Sequence, residues 1–206
     1  IPDVVITDLM MPNICGDELC NKLKHDERTS HIPIILLTAV HSKESEIESL
    51  KRGADDYITK PFDIEVLDQK VMNMMRLKEK IRSRFKIEMI SEPTKVVTQS
   101  PDEKFMIRAM KVIEENLSDA DFDIEKFAVE VGVSRMQLYR KMNAITGMTV
   151  KEFIRNIRIK RAKQLLEDGA MTVSEVAYNV GFKDIAYFRK CFKQQVGINP
   201  SEISKG

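Results

Sequence analysis

No stretch of this 206-residue chain stays apolar long enough to cross a membrane. The longest mainly apolar run, Ile32 to Val40, covers nine residues and is interrupted by Pro33 and Thr38, well short of the roughly 20 that a spanning helix needs. Cysteine pairing is missing too. The three cysteines, Cys15, Cys20 and Cys191, form no C-x2-C spacing, and an odd number builds no disulfide framework; a zinc knuckle and a stapled secreted domain are thereby excluded, and a reduced cytosolic setting is expected. The histidines His25, His31 and His41 show no ligand spacing. Nor is there an excess of one charge, since 33 basic side chains face 32 acidic ones for a net +1, and with 43% hydrophobic residues this excludes a disordered tail. The opening IPDVVITD has neither a signal peptide nor an initiator methionine and reads as the middle of a structural unit, so a piece of a longer protein is expected. The length suits two small domains, each able to bury a core.

What is present is charge asymmetry. Residues 1–103 hold 15 basic and 19 acidic side chains, net −4, whereas residues 104–206 hold 18 and 13, net +5. Between 134 and 163 the basic residues Arg135, Arg140, Lys141, Lys151, Arg155, Arg158, Lys160, Arg161 and Lys163 face only Glu152. That run is an electrostatic footprint for phosphates, or else a solvated helix face.

The pattern along the chain changes character midway. VVITDLMMP reads as a buried strand and loop, residues 16–25 as a helix, IPIILLTA (32–39) as a second strand, residues 44–52 as a helix stopped by Gly53, and DYIT (56–59) as a third strand before Lys60 and Pro61. Such alternation implies a parallel α/β sheet. From Ile64 the apolar positions Leu67, Val71, Met74, Ile81 and Phe85 keep 3-4 spacing, broken at Lys78, over a helix long enough to serve either as a core-facing stripe or as a coiled-coil seam joining two copies of the chain. Residues 86–103 lose periodicity and read as a linker.

From 104 onward the sequence is helical, and it repeats. Ala128 and Gly132 recur as Ala177 and Gly181, and the same offset of 49 pairs Tyr139 with Phe188, Arg140 with Arg189 and Lys141 with Lys190, while Cys191 falls in line with Met142. Each copy reads as a helix (124–131; 173–180), a turn at glycine, an N-cap (Ser134; Asp184) and a second helix. The small alanine allows close helix approach and the glycine accepts the positive φ of the turn, which is the grammar of a helix-turn-helix. A purely structural helical hairpin is the alternative; the basic second helices favour DNA. Between the copies, residues 150–166 form one helix of roughly 25 Å, a spacer able to hold two recognition helices about 34 Å apart in successive major grooves.

The signature TVSEVAYNVGFKDIAYFRKCFKQQVGINPSE resembles the AraC-type DNA-binding domain, over Phe105 to about Ile203. The resemblance implies base-reading or backbone contacts from Arg135, Met136, Gln137, Tyr139, Arg140 and Lys141 in the first motif (123–146), and from Lys183, Ile185, Ala186, Tyr187, Arg189 and Lys190 in the second (172–196). Arginine suits guanine and glutamine suits adenine, whereas Ile185 and Ala186 offer a thymine methyl only an apolar contact, so the second motif is expected chiefly to position the protein on phosphates.

The first 85 residues resemble the later part of a response-regulator receiver domain, a flavodoxin-like α/β fold, with its first two strands absent. VVITDLMMP supplies Asp8 as the phosphoacceptor that the resemblance implies, LLTA supplies Thr38, and YITKPF supplies Tyr57 as the switch aromatic and Lys60 as the charge partner, with Pro61 expected to hold a cis bond. In the intact family Mg²⁺ is the cofactor. Here the family's acidic pair is missing, Asp8 and the Met10 backbone carbonyl are the remaining ligands, and weak or no phosphorylation is expected, along with an exposed strand edge able to pair with a second chain. The combination implies a transcription regulator, non-enzymatic over this stretch, with double-stranded DNA, a phosphodonor histidine kinase and a second copy of itself as partners, and no membrane contact. Its place is expected to be the cytoplasm, either as a stand-alone regulator or as the end of a hybrid sensor that itself carries a histidine kinase. The rival reading is a phosphotransfer module whose helical domain binds protein; it predicts acyl-phosphate turnover and no salt-dependent DNA affinity.

Overall fold

A computed structural model describes residues 2–39, 53–88 and 100–203. Two compact units emerge among the described residues, one over 2–83 with 100–103 and the other over 84–88 with 104–203. The helix expected over 44–52 lies outside the described residues, as do 89–99 of the expected linker.

The first unit carries a three-stranded parallel sheet in the order β1 (Val5–Asp8), β2 (Ile34–Thr38), β3 (Asp56–Thr59). Parallel strands are sandwiched by helices and so read as continuous aliphatic runs; in β2 Ile34, Ile35 and Leu36 are almost completely buried. Helix α1 (Gly16–His25) packs Cys20 against Ile34 and Leu36. Helix α2 (Ile64–Glu88) runs without a break and extends past the 86 at which the linker was expected to start. Along it Ile64, Val66, Leu77 and Ile81 are exposed.

The second unit is all helical: α3 (Pro101–Glu115), α4 (Ile124–Val131), α5 (Arg135–Thr146), α6 (Val150–Glu167), α7 (Val173–Asn179), α8 (Ile185–Val196) and α9 (Pro200–Ile203). Two cores form, one per motif, and α6 contributes to both. Phe153, Ile154 and Ile157 enter the first core with Phe105, Phe127, Leu138 and Met142. Ile159, Ala162 and Leu166 enter the second with Val176, Ala177, Phe188 and Phe192. Leu117, in the loop between α3 and α4, packs against both. At 1.5 Å per residue the 18-residue α6 spans about 27 Å, as the sequence pattern predicts.

Candidate functional site

At the carboxyl end of the sheet, where open α/β folds bind ligands, the three strands deliver three different side chains. Asp8 closes β1, Thr38 closes β2, and Lys60 follows β3 directly. The backbone carries the pattern beyond the strands: Leu9 N–H donates to Leu37 O at 2.7 Å and Lys60 N–H to Thr38 O at 2.7 Å. The Lys60 ammonium forms an ion pair with Asp8 Oδ2, and the Met10 N–H donates to Asp8 Oδ1 at 3.2 Å. The bond from Lys60, reinforced by the Met10 amide, holds the Asp8 carboxyl below the usual carboxylate range. Asp8 is thus an ionised, partly exposed carboxylate beside a cation. Thr38 is buried, and Tyr57 on β3 is half-buried with the Lys70 ammonium 5.9 Å from its ring. The Lys60–Pro61 peptide is cis, as the sequence reading anticipates.

Gly16 is a site residue that the sequence reading missed. A Cβ there would lie 2.3 Å from the Asp8 carbonyl oxygen, and the Gly16 N–H donates to Leu9 O at 2.9 Å. Glycine therefore lets the start of α1 sit directly against the acidic loop. Its signal in the sequence was a glycine at the head of a predicted helix, where a capping residue would ordinarily stand. As oxygen donors for Mg²⁺ this end of the sheet offers the Asp8 carboxylate and the Met10 carbonyl, and among the described residues no group of three acidic, histidine or cysteine side chains gathers. One carboxylate already engaged by Lys60 does not fit a resident Mg²⁺.

In the helical unit both helix pairs have the predicted turn. Gly132 and Gly181 take φ values of 81° and 76°, and the next amide in each, Val133 and Phe182, donates to Ala128 O and Ala177 O. The caps also form: Ser134 accepts from the Gln137 amide and Asp184 from the Tyr187 amide. Ser134 lies two residues after its glycine, however, and Asp184 three after its own. The turn of the second motif is one residue longer, the extra residue being Lys183, and from that point the two motifs align at an offset of 50. The terminal glycines Gly147 and Gly197 keep that offset. The pairing at 49 of Tyr139 with Phe188, Arg140 with Arg189 and Lys141 with Lys190 is therefore corrected. The structural partners are Leu138 with Phe188, both fully buried, Arg140 with Lys190, both exposed, and Lys141 with Cys191, both buried.

Lys141 is accordingly withdrawn from the expected DNA contacts. Only 3% exposed, it places its ammonium 5.1 Å from the Phe105 ring and holds α3 against α5. A cation over a ring is favourable when both are shielded from water. Met136, Arg140, Ala186, Arg189 and Lys190 are exposed and Ile185 is half-buried. The other expected readers already have partners. Arg135 is paired with Glu125 and sits 5.8 Å from the Tyr139 ring; Gln137 Oε1 accepts from the Ser134 N–H at 2.9 Å to close a capping box; Lys183 is paired with Asp121; and the Tyr187 ring lies 6.0 Å from that of Phe182.

Arg158, counted in the basic run, is also occupied. Its Nη1 donates to Gly181 O at 3.0 Å and its Nη2 to Asp119 O at 2.6 Å. Burial lowers the pKa of this guanidinium, with the Asp119 carboxylate opposing. The same guanidinium and Leu117 O crowd Gly181, where an added Cβ would meet them at 2.8 and 2.6 Å.

Residues 1–72 match the family model of the response regulator receiver domain and residues 127–206 that of a helix-turn-helix domain. Histidine kinase P4 of Formosa agariphila is 39% identical over 202 residues, covering 98% of this chain and 15% of that protein. The DNA-binding dual master transcriptional regulator RpaA of a Synechocystis strain is 41% identical over 80 residues, 39% of this chain and 33% of its own. Among solved structures, the C-terminal domain of AraT, a response regulator from Geobacillus stearothermophilus, is similar at 27% identity and a TM-score of 0.45, over 49% of this chain and 84% of that one. The chain spans a third or less of the length of these two sequence relatives. The chain thus joins a response regulator receiver domain to a helix-turn-helix domain of the AraC type. No described helix is long and apolar enough to cross a membrane.

Proposed function

We propose that the chain is a sequence-specific DNA-binding transcription regulator governed by phosphorylation of Asp8, dividing into a receiver that ends with α2, a linker between α2 and α3, and a DNA reader from α3 onward. The observation that carries this reading is the pair of N-capped helices, α5 and α8, each exposing basic side chains on a frame held together by α6. In this reading Met136 and Arg140, with Arg135 released from Glu125 and Gln137 from its cap, contact one major groove. Lys183, Ile185, Ala186, Tyr187, Arg189 and Lys190 contact the next, and Tyr139 backs Arg135. Every Lys and Arg that reaches a phosphate displaces counterions, so affinity falls steeply with salt.

On the receiver side a histidine kinase is the phosphodonor. The phosphorus–nitrogen bond of its phosphohistidine breaks as an Asp8 oxygen bonds the phosphorus. Lys60 then neutralises the phosphoryl oxygens, Thr38 donates a hydroxyl hydrogen bond, and Tyr57 moves with Thr38. Pairing of two chains along α2 links that state to DNA by raising the share of properly spaced dimers. The site lies in the cytoplasm, where kinase and DNA are both reached.

The test measures binding of this chain to a random duplex and to a duplex selected from a random pool, as a function of salt. A steep negative slope, with enrichment of paired contacts about 10 base pairs apart, is expected. Binding no tighter than millimolar at low salt overturns the DNA reading. For the receiver, incubation with a small acyl phosphate is expected to give a low-yield, hydroxylamine-labile gain of one phosphoryl mass that Asp8→Asn abolishes; a gain that persists in that variant overturns the assignment of Asp8.

A further inference from the structure

Between the two motifs runs a groove of about 480 Å³, lined by Arg135 and Tyr139 of α5, by Tyr187 of α8, and along α6 by Lys151, Arg155 and Arg158. Its cations are not equivalent. Arg158 is spent on the carbonyls of Asp119 and Gly181, and Arg135 is paired with Glu125. Asp123, on the wall, is occupied as the cap of α4, accepting from the Lys126 amide at 2.9 Å. Lys151 and Arg155 stand four residues apart, hence on the same face of α6. Lys151 is exposed and has no acidic partner among the described residues, and Arg155 is half-buried on the wall that Tyr187 also lines.

The groove opens between the first turns of the two recognition helices. If those helices occupy successive major grooves of one duplex, the sugar–phosphate strands of the intervening minor groove pass over the surface between them, where Lys151 and Arg155 stand. We infer that Lys151 and Arg155 form a third DNA contact, a clasp on backbone phosphates between the two major-groove entries. The inference rests on the DNA reading above. Contacts of this kind fix register and carry no base information, so the clasp raises affinity for every sequence alike.

The experiment uses the whole chain and the duplex it selects from a random pool. Lys151→Gln and Arg155→Gln are each expected to lower the slope of log affinity on log salt by about 0.9, and the double variant by about 1.8, with an unchanged ratio of selected to random affinity and an unchanged unfolding midpoint. Phosphate ethylation is expected to interfere with wild-type binding at positions between the two half-contacts, and those positions are expected to fall silent in the double variant. A double variant with the wild-type slope, or with the wild-type ethylation pattern, overturns the clasp. Slopes that fall together with the sequence preference overturn it as well, since they make these residues base readers. If small polyanions compete with duplex for wild type and double variant equally, the groove is not where phosphate binds. Absence of duplex binding by the wild type refutes the DNA reading itself, a result distinguishable from all of these.

Discussion

The two helix-turn-helix motifs of this chain follow one plan with different tolerances. In the first, the turn glycine Gly132 has open space around it, with no atom within 4 Å of an added Cβ, and the cap of the next helix stands two residues later. In the second, Gly181 is enclosed by Leu117 O and the Arg158 guanidinium, and the turn carries the extra Lys183, itself bound to Asp121. The first motif leaves its turn glycine open, although Arg108 of α3 donates to the preceding Val131 carbonyl at 2.9 Å. The second is docked by its turn onto the α3–α4 loop, with Asp119 O and Asp121 as the other anchors. The same glycine chemistry serves conformation alone in one place, and conformation plus close approach in the other.

The largest effect expected from this contrast is at the glycines. Gly181→Ala should cost about 3 kcal/mol, combining the left-handed strain of an L-residue with overpacking against a carbonyl oxygen. Gly132→Ala should cost about 1 kcal/mol, from the strain alone. Urea unfolding of the two variants decides it, and equal losses would dissolve the distinction. Next are the lysines once thought equivalent. Lys141→Ala should destabilise by about 2 kcal/mol, losing the Phe105 contact and a buried stem, and leave the salt slope of duplex binding unchanged. Lys190→Ala should change stability by less than about 0.5 kcal/mol and lower that slope by about 0.9.

The caps come third. Ser134→Ala and Asp184→Ala should each cost about 1 kcal/mol, measured by thermal unfolding; similar losses would show that the extra turn residue leaves cap geometry intact. The smallest difference lies in acid. Glu175 closes a capping box on Thr172 at the start of α7, and the Thr172 amide bond holds its carboxyl below the ordinary glutamate value. Lys126 occupies the corresponding position in α4. With a folded pKa below the unfolded one, the stabilisation from Glu175 is fully present above the ordinary glutamate range and is lost as pH falls through the depressed value. An NMR titration should find Glu175 titrating below the ordinary value, and the Thr172 amide shift following it. Titration at the ordinary value would remove the contrast.

These differences also explain what could be read from the sequence. Alternating aliphatic runs gave the three parallel strands, and the ordered appearance of Asp8, Thr38 and Lys60 at their ends was legible because β-strand topology turns sequence order into adjacency. The helix-turn-helix pattern was legible from Ala128, Gly132, Ala177 and Gly181, each of which has a local steric reason. The single offset of 49 was misleading beyond the turn. Identical letters at Arg140 and Arg189, or Lys141 and Lys190, carry less information than burial does, and it is Phe188 and Phe192 entering the core that set the register of α8. Arg158 looked like one cation in a run of nine, since nothing local marks a guanidinium whose partners are the carbonyls of residues 39 positions before it and 23 after it. Gly16 depended in the same way on a loop folded back against it.

The loop from Asn116 to Asp123 is short, polar and unremarkable in sequence, but it alters how distance along the chain relates to distance in mechanism. Counted along the polypeptide, the second motif is the farther from α3, with the whole first motif and α6 in between. Counted through contacts, Leu117, Asp119 and Asp121 place the second motif within a few residues of the end of α3. A twist or tug delivered to α3 therefore has two outlets, the first motif through the core that Phe105 enters and the second through the loop. Motifs separated by a whole helix along the polypeptide are thus coupled to one and the same upstream element.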